Sequence, residues 1–80
     1  MKPTIELRVM QGHRTAIAEL EITDMHGDRK VFVGESKRHP RDRYDEEIGV
    51  EYAIGRALQM AGEAFITVAD FRVSLATALH

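Results

Sequence analysis

GESKRHPRDRYDEEIGVEYAIGRAL, residues Gly34 to Leu58, is the stretch that decides the fold, because it carries a strand out of a sheet and into a helix. A basic run of Lys37, Arg38, His39, Arg41 and Arg43 passes through Pro40 and gives way to Asp45, Glu46 and Glu47. Pro40 cannot donate to a strand ladder and restricts His39, so the strand is expected to end before it. The three acids then fall where a helix macrodipole favours negative charge, with Asp45 as the N-cap. From Val50 the positions Ile54, Ala57, Ala61, Ala64, Val68, Phe71, Leu75 and Ala78 recur at spacings of four and three. Leu58, Phe65 and Leu79 widen that apolar stripe, so the segment reads as an amphipathic helix.

Upstream the period changes from helical to two. Thr4 to Met10 places Ile5, Leu7 and Val9 on one side, and Thr4, Glu6, Arg8 and Met10 on the other. That alternation predicts a half-buried strand. Gln11-Gly12-His13 reads as a turn with Gly12 free to take positive φ. A second strand, Arg14 to Thr23, sets Ala16, Ala18, Leu20 and Ile22 against Thr15, Ile17, Glu19 and Glu21, its small alanines admitting a close helix. The turn Asp24–Asp28 leads to a third strand, about Arg29 to Ser36. Two short connections imply a three-stranded antiparallel meander. The third strand is ambiguous about its faces. With Val31 and Val33 toward the core, Phe32 points out near Ile17, as scattered surface residues or as a contact for a partner.

The expected fold class is therefore α+β: a single β-β-β-α domain over residues 1–80, two layers deep, with a second short helix as one option. The predicted core is Ile5, Leu7, Val9, Ala18, Leu20, Val33, Ile54, Leu58, Ala61 and Phe65. Only Met1-Lys2-Pro3 precede the first strand, so no initial helix is expected. A continuous helix to Leu79 would be roughly 52 Å long, against about 25 Å for a strand. Gly62 and the capping-box pattern at Thr67–Asp70 favour a break near Ile66–Thr67. In either case Phe71, Leu75 and Leu79 need burial, which predicts a homodimer through this segment or by edge-strand addition.

Composition bounds the function classes. With 44% hydrophobic and 30% charged residues the chain reads as globular. It has no cysteine, which removes disulfides and thiolate metal sites. No apolar run approaches the roughly 18 residues of a membrane span, and no signal-peptide core follows Met1, so a cytoplasmic location is expected. Net charge is −2 but unevenly spread. Arg29 to Arg43 holds six Lys/Arg against Glu35 and Asp42, whereas Tyr44 onward holds six acids against Arg56 and Arg72.

The loop and first helical turns also resemble a known family. Pro40-Arg41-Asp42-Arg43, then Glu47-Ile48-Gly49, Glu51, Ala53 and Arg56-Ala57-Leu58 are similar to an actinobacterial group of dsRBD-like domains of unknown function, found in mycobacteria and their phages. Ala16-x-Ala18-x-Leu20 resembles that group's second strand. The resemblance implies a β-β-β-α fold, dimers, a likeness to ribosome hibernation factors in one dormancy-induced mycobacterial member, and no enzymatic activity.

Each candidate residue has a structural reading beside the functional one. Asp42, Arg43, Glu47, Glu51 and Arg56 read as a charge network pinning loop to helix, since Glu47 and Glu51 at i and i+4 repel without a cation between them. Gly49 costs a helix roughly 1 kcal/mol relative to Ala and suggests close backbone approach. Lys37, Arg38, Arg41 and Arg43 suit phosphate contacts on an exposed loop, with Arg8 and Lys30 extending the patch; the alternative is a solvated hairpin exit. The acidic helix start and the lack of interleaved aromatics argue against double-stranded-RNA and stacking modules. The four histidines show no paired ligand spacing, Ser36 and Ser74 lack a nucleophile elbow, and no glycine-rich phosphate cradle is present. No catalytic residue, metal or cofactor is expected. The expected function is a small accessory protein binding RNA or the ribosome, or else a protein–protein interaction module of phage or host.

Overall fold

The computed structural model describes residues 2–37 and 46–78. Three strands, β1 (Thr4–Gly12), β2 (Thr15–Thr23) and β3 (Arg29–Lys37), precede one helix, α1 (Glu46–Ala78). The strands form an antiparallel sheet in the order β1-β2-β3, and α1 packs on one face of it. This is the expected α+β architecture, a dsRBD-like two-layer β-β-β-α fold.

Register follows from the two hairpins. Leu7 stands opposite Leu20, and Val9 opposite Ala18. On the other side Ala18 faces Gly34 and Leu20 faces Phe32. At the β1–β2 turn the left-handed conformation falls on Arg14, at φ 61°, and not on Gly12, which ends β1 opposite Thr15. A side chain at position 12 would meet the Thr15 hydroxyl at 2.6 Å, so this glycine serves clearance across the hairpin. The β2–β3 turn is closed by Asp24. Its carboxylate accepts the backbone N–H of His26 at 2.8 Å and of Asp28 at 3.0 Å, and Gly27 takes φ 86°.

The core is thin. It consists of Ala16, Ala18 and Leu20 from β2 and Ala53, Ala57 and Ala61 from α1, bordered by Ile22, Phe32, Val50 and Ile54. Leu20 is the one large side chain fully enclosed among the described residues. The helix comes this close because Gly34 lies directly beneath it. A Cβ there would press on the Ala53 carbonyl oxygen and stand 2.5 Å from the Ala57 nitrogen. A glycine within a strand often marks such an approach.

Three expectations are corrected. Val33 is exposed, with Val31, on the face away from α1, and Phe32 packs inward against Phe65 at 6.2 Å between ring centroids. The sequence Val31-Phe32-Val33 is apolar throughout, so alternation cannot choose a face; pairing across from Leu20 does. Leu58 is also exposed, because the buried seam joins Ala57 and Ala61 of the predicted stripe to Ala53 on one side, whereas Leu58 widens the stripe on the other. Finally, α1 does not break at Ile66–Thr67 but continues for 33 residues. Gly62 costs a helix interior only about 1 kcal/mol, and Ala57, Ala61, Ala64 and Ala69 around it are strong helix formers.

Ile5, Leu7 and Val9 lie on the predicted face, yet all three are exposed. The helix packs on β2 and β3 and meets β1 only sparsely, so β1 is left uncovered. At about 1.5 Å per residue α1 is roughly 50 Å long, against about 30 Å for nine residues of strand. Its last turns therefore project beyond the sheet.

Candidate interaction surfaces

The cationic candidates divide among different parts of the fold. Lys37 is the last residue of β3 and is exposed. Arg38, Arg41 and Arg43, together with Asp42 of the proposed network and the Asp45 cap, lie outside the described residues. Arg8 and Lys30 lie on opposite faces of the sheet, since Arg8 pairs with Glu19 and Lys30 with Ile22. A continuous patch can include only one of them. Arg8 sits among carboxylates, 2.7 Å from Glu6, 3.2 Å from Glu19 and 3.6 Å from Glu21. Arg29 completes this ladder with 2.7 and 2.8 Å contacts to Glu21. Lys30 is on the helix side, its ammonium 4.9 Å above the Phe65 ring, where it covers the aromatic edge of the core.

The open sheet face is thus a charged ladder flanked by apolar side chains. Glu6, Glu19, Glu21 and Glu35 face Arg8, Arg29 and Lys37, with Met10, Ile17, Val31 and Val33 between and beside them. The apolar residues of this face are these four, and Phe32 is not among them.

Arg56 has a definite structural task. Its guanidinium donates to the Glu35 backbone carbonyl at 2.5 Å and lies 5.4 Å from the Tyr52 ring centroid. That bond occupies a carbonyl on the outer edge of β3, the side away from β2. Edge strands with free backbone groups invite pairing with other chains, and α1 blunts this one. Glu51 is exposed beside Tyr52 and Arg56 in a shallow cleft of about 620 Å³ along the helix. Gly49 is half-buried, and a close approach of helix and sheet is found at Gly34. Glu47 is exposed in the first helical turn.

Of the dimer candidates, Phe71 and Leu75 are exposed on the projecting part of α1, and Leu79 lies outside the described residues. Among the described residues no cluster of three or more His, Asp or Glu is placed to hold a metal ion. No helix there is long and apolar enough to cross a membrane.

The ladder of Arg8, Glu19, Glu21 and Arg29 escaped sequence reasoning, although strand alternation places all four on one face. The contact between Arg56 and Glu35 had no signal in the sequence, because it depends on where the helix crosses β3.

Comparison with known proteins agrees with this fold. A protein-family model described as Rv2632c-like matches residues 2–79. The crystal structure of Rv2632c aligns with a TM-score of 0.70 at 28% sequence identity, over 92% of this chain and 89% of that one. No curated protein sequence matches the chain.

Proposed function

The chain belongs to the Rv2632c-like family, and from that premise we propose that it is a non-enzymatic, cytoplasmic accessory module. It works as a homodimer and engages RNA or the ribosome through Lys37, Arg38, Arg41 and Arg43. The carrying observation is the charge distribution around the fold. The open sheet face sets four carboxylates against three cations, and α1 carries Glu46, Glu47, Glu51, Glu63 and Asp70 against Arg56 and Arg72. Neither surface suits a polyanion. The basic stretch beginning at Lys37, the last residue of β3, is where cations outnumber acids in the sequence, and Lys and Arg side chains are what phosphate contacts draw on.

A second reading, a protein–protein interaction module, is favoured by the apolar residues Ile17, Val31 and Val33 on the open face. A pull-down from host lysate with and without nuclease separates the two. The first reading expects ribosomes or RNA to co-purify only without nuclease, steeply weakened by salt, and lost in Lys37→Glu/Arg38→Glu. A nuclease-resistant protein partner retained by that double variant would overturn it.

A further inference from the structure

We infer that β1 is the seam of the dimer, pairing antiparallel with β1 of a second copy about a two-fold axis through Leu7, so that two sheets join into one of six strands. The inference rests on the homodimer of the proposed function and specifies its interface.

Three observations converge on this seam. The two outer edges of the sheet are treated differently: β3 is guarded by α1 and by Arg56 on the Glu35 carbonyl, while all nine residues of β1 are exposed. Next, the helix-side face of β1 is apolar and uncovered, with Ile5 68%, Leu7 45% and Val9 39% exposed. A long apolar edge strand of this kind is a template for pairing.

The third observation fixes the register. A two-fold axis perpendicular to the sheet allows only pairings that keep each residue opposite one of its own face. With Leu7 on the axis, Glu6 stands opposite the second copy's Arg8, and Arg8 opposite its Glu6. Ile5 then meets the second copy's Val9 on the helix side. Moving the axis to Glu6 puts two carboxylates opposite each other, and moving it to Arg8 puts two guanidiniums opposite each other. Like charges directly across strands are destabilising and opposite charges favourable. Thr4 to Met10 is self-complementary in charge and in apolar pattern about one residue, Leu7.

The course of α1 supplies further contact. It lies over Gly34 of β3 at Ala53 and Ala57, and farther on Val68 and Ala69 line a cleft with Lys30 of β3, Ile22 of β2 and Pro3 just before β1. At that end of the sheet the helix reaches as far as the residue before β1, and its last turns project beyond. Phe71 and Leu75, 67% and 50% exposed, are on those turns. A strand seam alone is narrow beside the roughly 1,200–2,000 Å² that stable interfaces bury, and the projecting helix adds apolar area.

The native chain tests this by NMR, with mixed isotope-labelled and unlabelled copies. Ile5 and Val9 of one strand stand about 13 Å apart, so a methyl contact between them must cross the interface, and this contact is expected. Because the chain has no cysteine, single substitutions give a second readout. Leu7→Cys copies face each other at about 5 Å between Cα atoms, within disulfide reach, and should oxidise to a covalent dimer. Thr4→Cys copies stand about 20 Å apart in this register and should not. A dimeric mass without the Ile5–Val9 contact, with cross-linking through Leu75→Cys instead of Leu7→Cys, would leave the dimer standing and overturn the seam. Equal cross-linking at positions 4 and 7 would overturn the register. A monomeric mass would remove both the dimer and the seam.

Discussion

Gly34→Ala adds one carbon at the point where sheet and helix are closest. That carbon would stand 2.5 Å from the Ala57 nitrogen and 3.1 Å from Arg56 Cβ, and would press on the Ala53 carbonyl oxygen. Ordinary contact needs about 3.5 Å, so α1 must lift by roughly 1 Å. Ala57 nitrogen and Ala53 oxygen belong to the helix backbone and cannot rotate aside as a side chain would. Overpacking costs typically about 1–3 kcal/mol, and a clash with backbone falls toward the upper end, near 3 kcal/mol. An 80-residue domain has about 4–12 kcal/mol of stability at 0.05–0.15 kcal/mol per residue, so this substitution removes a quarter to most of it. Urea unfolding followed by circular dichroism at fixed protein concentration gives the measurement. With a slope near 1 kcal/mol/M for a small protein, the midpoint should fall by about 2–3 M. Gly55→Ala and Gly62→Ala are the controls: each lies in α1 with nothing within 4 Å of the added carbon, so each should stabilise by about 0.5–1 kcal/mol. A Gly34→Ala loss below about 0.5 kcal/mol would refute the close-approach argument.

Further predictions follow from the turn, the guarded edge and the projecting helix. Asp24 is held below its ordinary 3.8, chiefly by the His26 N–H; a pKa lowered by folding contributes stability that is fully present above 3.8 and lost as pH falls through the lower folded value. A carboxyl-carbon NMR titration with an Asp24 midpoint at or above 3.8 would contradict this. Arg56→Met keeps the stem but removes the bond to the Glu35 carbonyl, and should cost about 0.5–1 kcal/mol in urea unfolding; an unchanged midpoint would mean that the bond is idle. Leu75→Asp should dissociate the dimer while circular dichroism keeps its helix and sheet signals, because Leu75 is outside the monomer core. Loss of the fold itself would place Leu75 in a core the structure does not show.

The sequence made the strands legible because β1 and β2 alternate cleanly, and the helix start legible because Pro40 and the acids beyond it leave little choice. It was silent where its signals cancelled. Val31, Phe32 and Val33 are all apolar, so only pairing with β2 chooses the inward residue. Ala53 and Ala57 hide among larger apolar neighbours such as Ile54 and Leu58, and what selects them is the clearance over Gly34. The helix is long for its sheet, and Gly62 with the capping-box pattern at Thr67–Asp70 points to a break that the structure does not show. Propensity had no reason to stop it, and the continuous helix leaves Phe71, Val73 and Leu75 in the open. The basic stretch was visible as composition. That Arg8 belongs to a carboxylate ladder and Lys30 to the Phe65 ring depended on which face each occupies.

A core built mainly of alanine, beside an uncovered β1 and a projecting α1, leaves much of the larger apolar surface for the proposed dimer to cover. Sedimentation equilibrium at tens of micromolar tests this most directly. A single species at twice the 9.1 kDa chain mass is expected, shifting toward monomer in Leu75→Asp; a stable species at 9.1 kDa over that range would contradict the proposed dimer.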